Sequence, residues 1–161
     1  MEHKVTDFIN LRERFENIDN NFHSEFCIVP ENIESAKSVD EFIFADNAIT
    51  IRKVFQKNNV SIDMLQNDNT AFRQRCSIDW YAPMIFIGYS LLSDNSNLVS
   101  VGLSVLSNYI TDFFKGSFGR KNVKIEIVVE STPKKEFKCI SYEGSPEGLK
   151  ELEMVIKAIK K

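Results

Sequence analysis

Between Arg75 and Lys115 the chain carries no lysine, arginine, histidine or glutamate, and only Asp79, Asp94 and Asp112 are charged. Charged residues make up 27% of the whole sequence, so this stretch departs sharply from its surroundings. A run of that kind is buried in a core, in an interface between chains, or against lipid. Which of the three holds constrains both the fold and the function.

At 161 residues the chain fits one domain and is long enough to bury a core of its own. A net charge of -3 gives no global attraction to nucleic acid or anionic lipid, so neither is an expected partner on that ground. Cys27, Cys76 and Cys139 are odd in number, widely spaced and form no C-x-x-C pair. Reduced thiols suit them better than a disulfide framework, and residues 1–7 lack a signal-peptide core, so a cytoplasmic protein is expected.

The spacing of Phe8, Leu11, Phe15 and Ile18 is one face of a helix, ended by the polar cluster Asp19-Asn20-Asn21. Phe26-Cys27-Ile28-Val29 reads as a strand with Pro30 at its edge. Residues 41–45 and 48–55 are both β-rich and flank Asp46-Asn47, which predicts a hairpin. Val60 to Met64 alternates and would add a third strand. Cys76, Ile78 and Trp80 alternate in the same way. Residues 83–93 fit a helix that opens on Pro83 or a buried strand, and periodicity does not choose between them.

Leu98 to Phe114 predicts a buried helix, capped by Ser96 and leaving through Gly116. Gly102 opposes it, by about 1 kcal/mol relative to alanine. Ser100, Ser104, Ser107 and Thr111 form a small-residue stripe that would admit a close neighbour. Beyond Gly116, Val123, Ile125, Ile127 and Val129 alternate with a wetter face, and residues 137–142 return as the hairpin partner. Ser145, Pro146 and Glu147 then open a helix whose apolar face is Leu149, Leu152, Ile156 and Ile159. The whole reads as α+β: a β-rich N-terminal half, a central buried helix and a C-terminal β-β-α unit. Residues 1–161 form a single domain, with a seam at 115–122 before the unit 123–161.

The chain offers little reaction chemistry. Two histidines, His3 and His23, with no H-E-x-x-H, C-x-x-C or acidic cluster, predict no metal and no cofactor. Cys76 lies beside Arg73 and Arg75 and would need His23 as a base, but a small strand residue facing the core is the favoured reading of this thiol. The Gly116 to Lys121 loop is basic yet follows a helix, so the helix dipole has the wrong sign for an anion cradle. Lys115, Arg120 and Lys121 remain as a small basic binding patch. Trp80 and Tyr81, at the entrance to the uncharged stretch, are the candidate interface aromatics. Residues 83–114 are too short or too diluted by serine, asparagine and aspartate for a span of about 20 apolar residues.

Asp79-Trp80-Tyr81-Ala82-Pro83, the segment Asn108 to Gly116, and Tyr142-Glu143-Gly144 with Glu147-Gly148-Leu149 give the C-terminal half a resemblance to small uncharacterised bacterial proteins. The resemblance implies an accessory of a bacterial defence or toxin-type system, and it carries over no catalytic residue. These observations lead to a non-enzymatic interaction or regulatory module with a protein partner or a second copy of itself. It would act through the apolar helix or through an exposed strand edge such as residues 135–143. The rivals are a conditional membrane-acting effector using residues 83–114 and a small enzyme of unknown reaction.

Overall fold

The structure is a computed structural model and describes residues 2–74, 79–116, 122–132 and 136–159. In chain order the strands are β1 (Glu2–Phe8), β2 (Phe26–Val29), β3 (Ile43–Ala45), β4 (Asp63–Met64), β5 (Ala71–Arg73), β6 (Trp80–Tyr81), β7 (Met84–Ile87), β8 (Val123–Thr132) and β9 (Glu136–Gly144). The helices are α1 (Leu11–Ile18), α2 (Ala48–Lys57), α3 (Tyr89–Asp94), α4 (Ser96–Phe113) and α5 (Lys150–Ile159). This is an α+β fold around one mixed sheet in the order β1-β9-β8-β7-β2-β4, with β6 also paired to β8 and a small parallel pair β3-β5 beside it.

The uncharged stretch becomes the middle of this sheet and the helix that covers it. β7 is hydrogen-bonded on both sides, parallel to β8 and antiparallel to β2. A strand flanked on both edges and covered on both faces reads as a continuous apolar run, and Ile85, Phe86 and Ile87 are all buried. Residues 83–93, open between helix and strand, are in fact both: β7 turns at Gly88 directly into α3.

Cross-strand partners share a face of a sheet. Ile85, Ile127 and Ile140 stand in register, with Val5 of β1 opposite Ile140 at the end of the row. Apart from Val5 these side chains are buried. α4 lies on this side through Val99, Leu106 and Ile110, and Trp80 meets Tyr109 and Phe113 at ring separations of 6.4 Å each. Phe26 stacks on Phe55 of α2 at 6.0 Å. Ser100 of α4 donates a hydrogen bond to Glu153 of α5, whose Leu152 and Ile156 are buried. Each fully buried side chain of this size contributes about 1.5–3 kcal/mol.

Several local expectations change. Phe8 belongs to β1, and the helix starts only after Asn10, whose side chain accepts from Glu13 N at 3.1 Å. Residues 48–57 are helical, so the hairpin around Asp46-Asn47 does not form. Ala48, Ile51 and Phe55 are buried at helical spacing, which overrides the β-branched composition. β2 does form with Pro30 directly at its end and lies inside the sheet, while only Asp63–Met64 of the expected third strand pairs with it. The Ser stripe does not form one contact surface: Ser107 is buried, but Ser104 and Thr111 face solvent. Neither Asn95, which takes the N-cap of α4, nor Ser145 makes a side-chain capping bond. The exit through Gly116 does form, at φ 81°, a conformation that favours glycine. Cys76 and Ile78 lie outside the described residues.

The C-terminal hairpin and helix form as expected. The expected edge over residues 135–143 is not free where it is described, because β1 pairs along β9 from Glu2↔Glu143 to Phe8↔Phe137; Lys135 lies outside the described residues. The long edge of the sheet is β1.

Candidate binding groove

The second face of the sheet is covered over only part of its width. α1 sits over β7 and β8: Arg12 lies 5.4 Å from the centroid of the Phe86 ring and donates to Glu130 through Nε and Nη2, each at 2.8 Å. Arg12 also bonds to Glu25. Glu130 and Glu25 in turn accept from Tyr89 N and Ser90 N at 2.9 and 3.2 Å. Two carboxylates thus hold the first turn of α3, and Arg12 neutralises them. The Glu130 side chain is 6% exposed. A Cβ at Gly88 would press against the tips of the Glu25 and Arg12 side chains, so a larger residue there would displace the clamp's own side chains. This cluster satisfies itself and works as a structural clamp.

Past α1 the same face lies open among the described residues. Lys124 and Glu126 of β8 stand in register with Glu143 and Ser141 of β9, and Lys4 of β1 with Ser141. The β3-β5 pair and the loop before it rise alongside and bring Glu31, Glu34 and Arg73. Between them runs an open groove of about 1040 Å³, with Tyr81, Met84, Phe8 and Ala82 among its apolar contributors. Cations and anions interleave along it. Arg73 Nε lies 3.4 Å from Glu31 Oε1. Lys124 Nζ lies 3.4 Å from Asp79 Oδ2, 3.4 Å from Tyr81 Oη and 5.3 Å from the Tyr81 ring centroid. The Tyr81 hydroxyl and the neighbouring carboxylates raise the Lys124 pKa, which keeps this ammonium charged.

Of the binding residues expected from the sequence, Tyr81 is the one that lines the groove, where His3 and Arg73 also fall. Asn47 fixes its backbone by donating from Nδ2 to Tyr81 O at 2.8 Å. Trp80 points the other way and is a core residue between β6 and α4, 7% exposed. Lys115 is exposed beyond the end of α4 and takes no part in the groove. Arg120 and Lys121 lie outside the described residues. The groove's other charged members come from β1, β5, β8, β9 and one loop, and the sequence signal for them was the wetter alternating face of β8.

The two described thiols, Cys27 and Cys139, are not poised for reaction. Cys139 is buried with its Sγ 3.6 Å from Glu126 Oε2, and burial together with that carboxylate pushes its pKa up to about 12. Cys27 does share a small cavity of about 30 Å³ with His23, but burial and Asp63 push its thiol well up too, away from the reactive thiolate. Among the described residues no group of three or more histidine, cysteine or acidic side chains is placed to hold a metal ion. Among them also, no helix is long and apolar enough to cross a membrane. No protein family, curated protein or solved structure matches this chain.

Proposed function

We propose that the protein is a non-enzymatic interaction module of a bacterial cytosolic system, and that its working surface is the groove over the open half of the sheet. The observation that carries this reading is the groove itself: about 1040 Å³ of concave surface with interleaved charges and a tyrosine held beside a lysine. Such a lining fits an extended polypeptide segment carrying both charge signs, since each side chain along the segment meets an opposite charge or an aromatic face. α4 is less suited to docking, because its apolar face is already spent on its own sheet. The buried thiols Cys27 and Cys139 favour a reducing compartment.

The test is a panel of short mixed-charge peptides titrated against the isotopically labelled protein. Amide shifts should concentrate at Lys124, Glu126, Ser141 and Tyr81 and should vanish for the same peptides in Lys124→Glu. Shifts confined to α4 or α5, or none for any peptide at millimolar concentration, would refute the groove as the working surface.

A further inference from the structure

We infer that β1 pairs with β1 of a second copy about a two-fold axis at Val5, joining two sheets into one. β1 offers seven residues of ladder, and among the described residues nothing pairs with its outer edge. An unpaired edge of this length is a template for strand addition unless charge or shape blocks it. Here the charges favour one particular partner.

In a continuous sheet made by a two-fold axis normal to it, facing residues lie on the same side, so their numbers share parity. Centring the axis on Lys4 places two ammonium groups face to face. Centring it on Thr6 places the apolar Val5 opposite Asp7 and Lys4 opposite Phe8. Centring it on Val5 sets Val5 against Val5, His3 against Asp7 twice over and Lys4 against Thr6, with Glu2 facing Phe8 only at the two outer ends. Of the three, that register alone sets apolar against apolar at the axis and an imidazole beside a carboxylate on either side of it.

The existing structure supports the same centre. Val5 is 43% exposed, although its register partner Ile140 and the next residue in the row, Ile127, are fully buried. A second Val5 would complete the row. Asp7 already pairs with Lys138 of β9, its register partner, so His3 of the second copy would extend a Lys138–Asp7 ladder by one step. The paired strands alone bury less than the roughly 1,200 Å² of a tight complex, so the association is a weak, concentration-dependent one. This inference goes beyond the groove reading and does not rest on it.

Sedimentation across micromolar to millimolar concentrations should show a monomer–dimer equilibrium. His3→Asp alone sets a carboxylate against Asp7 at both ends of the ladder and should weaken the dimer by about tenfold or more. Asp7→Lys alone should weaken it similarly, by setting a lysine against His3. Mixing the two variants pairs the introduced carboxylate with the introduced ammonium, and the mixed pair should recover. Val5→Cys in a Cys76→Ser background should cross-link to itself under mild oxidant faster than Lys4→Cys or Thr6→Cys. Circular dichroism verifies that each variant folds. A protein that stays monomeric throughout, no recovery on mixing, or equal cross-linking at the three positions would overturn the pairing.

Discussion

β8 and β9 each present two faces, and the two have had opposite fates. On one side Ile125, Ile127 and Ile140 are covered by α4 and α5 and buried to within 2%. On the other, Lys124, Glu126 and Glu143 stand over an open groove. The same backbone ladder supports both, so the difference lies in what each face can do with water. The dry face contributes stability through area removed from solvent. The wet face is free of that duty, and its charged pairs, being half-exposed, add little to the fold. A surface that stability does not require is available for recognition.

The strongest way to break this contrast is to truncate one residue on each side. Ile110 of α4 is 0% exposed, and Ile110→Ala should destabilise the protein by about 2–5 kcal/mol, from lost transfer energy and the cavity left behind. Glu126→Ala, in the groove, should fall within about 0.5 kcal/mol of wild type. Denaturant unfolding at constant m-value measures both. Comparable losses would mean that the groove face is structural after all.

A smaller effect sharpens the contrast at the boundary between the faces. Cys139 lies on the groove side but beneath the surface, and its thiol is raised from 9.0 to about 12. Its folded pKa exceeds the unfolded one, so the unfolded chain releases this proton first as pH rises. Stability linked to Cys139 is therefore complete below about pH 9 and falls between pH 9 and 12, by about 1.4 kcal/mol per pH unit from this group. The unfolding free energy of wild type should drop more steeply over that window than that of Cys139→Ala. Parallel curves would show that the thiol is wetter than the structure implies.

How much of this is legible in the chain depends on whether the signal is local. The uncharged stretch, the alternation of β8 and the apolar faces of α4 and α5 are each contained in a single segment, and they mark the α+β architecture. α2 reads as a strand because Ile49-Thr50-Ile51 has strand composition, while its buried residues Ala48, Ile51 and Phe55 follow helical spacing. β1 is hidden because Phe8 continues the periodicity of α1 by coincidence, and its partner strand lies more than 120 residues away. The groove and the Arg12–Glu25–Glu130 clamp are invisible for the same reason: their members meet only through sheet order. Trp80 and Tyr81 are adjacent in sequence, and the pleat sends one into the core and the other into the groove.

The smallest expected effect concerns the glycine whose helix propensity opposes α4. Gly102 lies mid-helix on the buried side, and an added Cβ would stand 3.5 Å from the Phe26 ring edge and 4.0 Å from the next ring atom, both ordinary contacts. Nothing in its surroundings therefore demands glycine, whereas at Gly88 an added Cβ would push aside the tips of the Glu25 and Arg12 side chains. Gly102→Ala should recover most of the helix-propensity difference, about 0.5–1 kcal/mol of added stability, read as a raised melting temperature. The gain belongs to the dry face alone, so peptide binding in the groove should be unchanged in the same variant. A destabilised Gly102→Ala would mean that α4 sits closer to β2 than the 3.5 Å contact indicates, and that the dry face is packed without room for one methyl group.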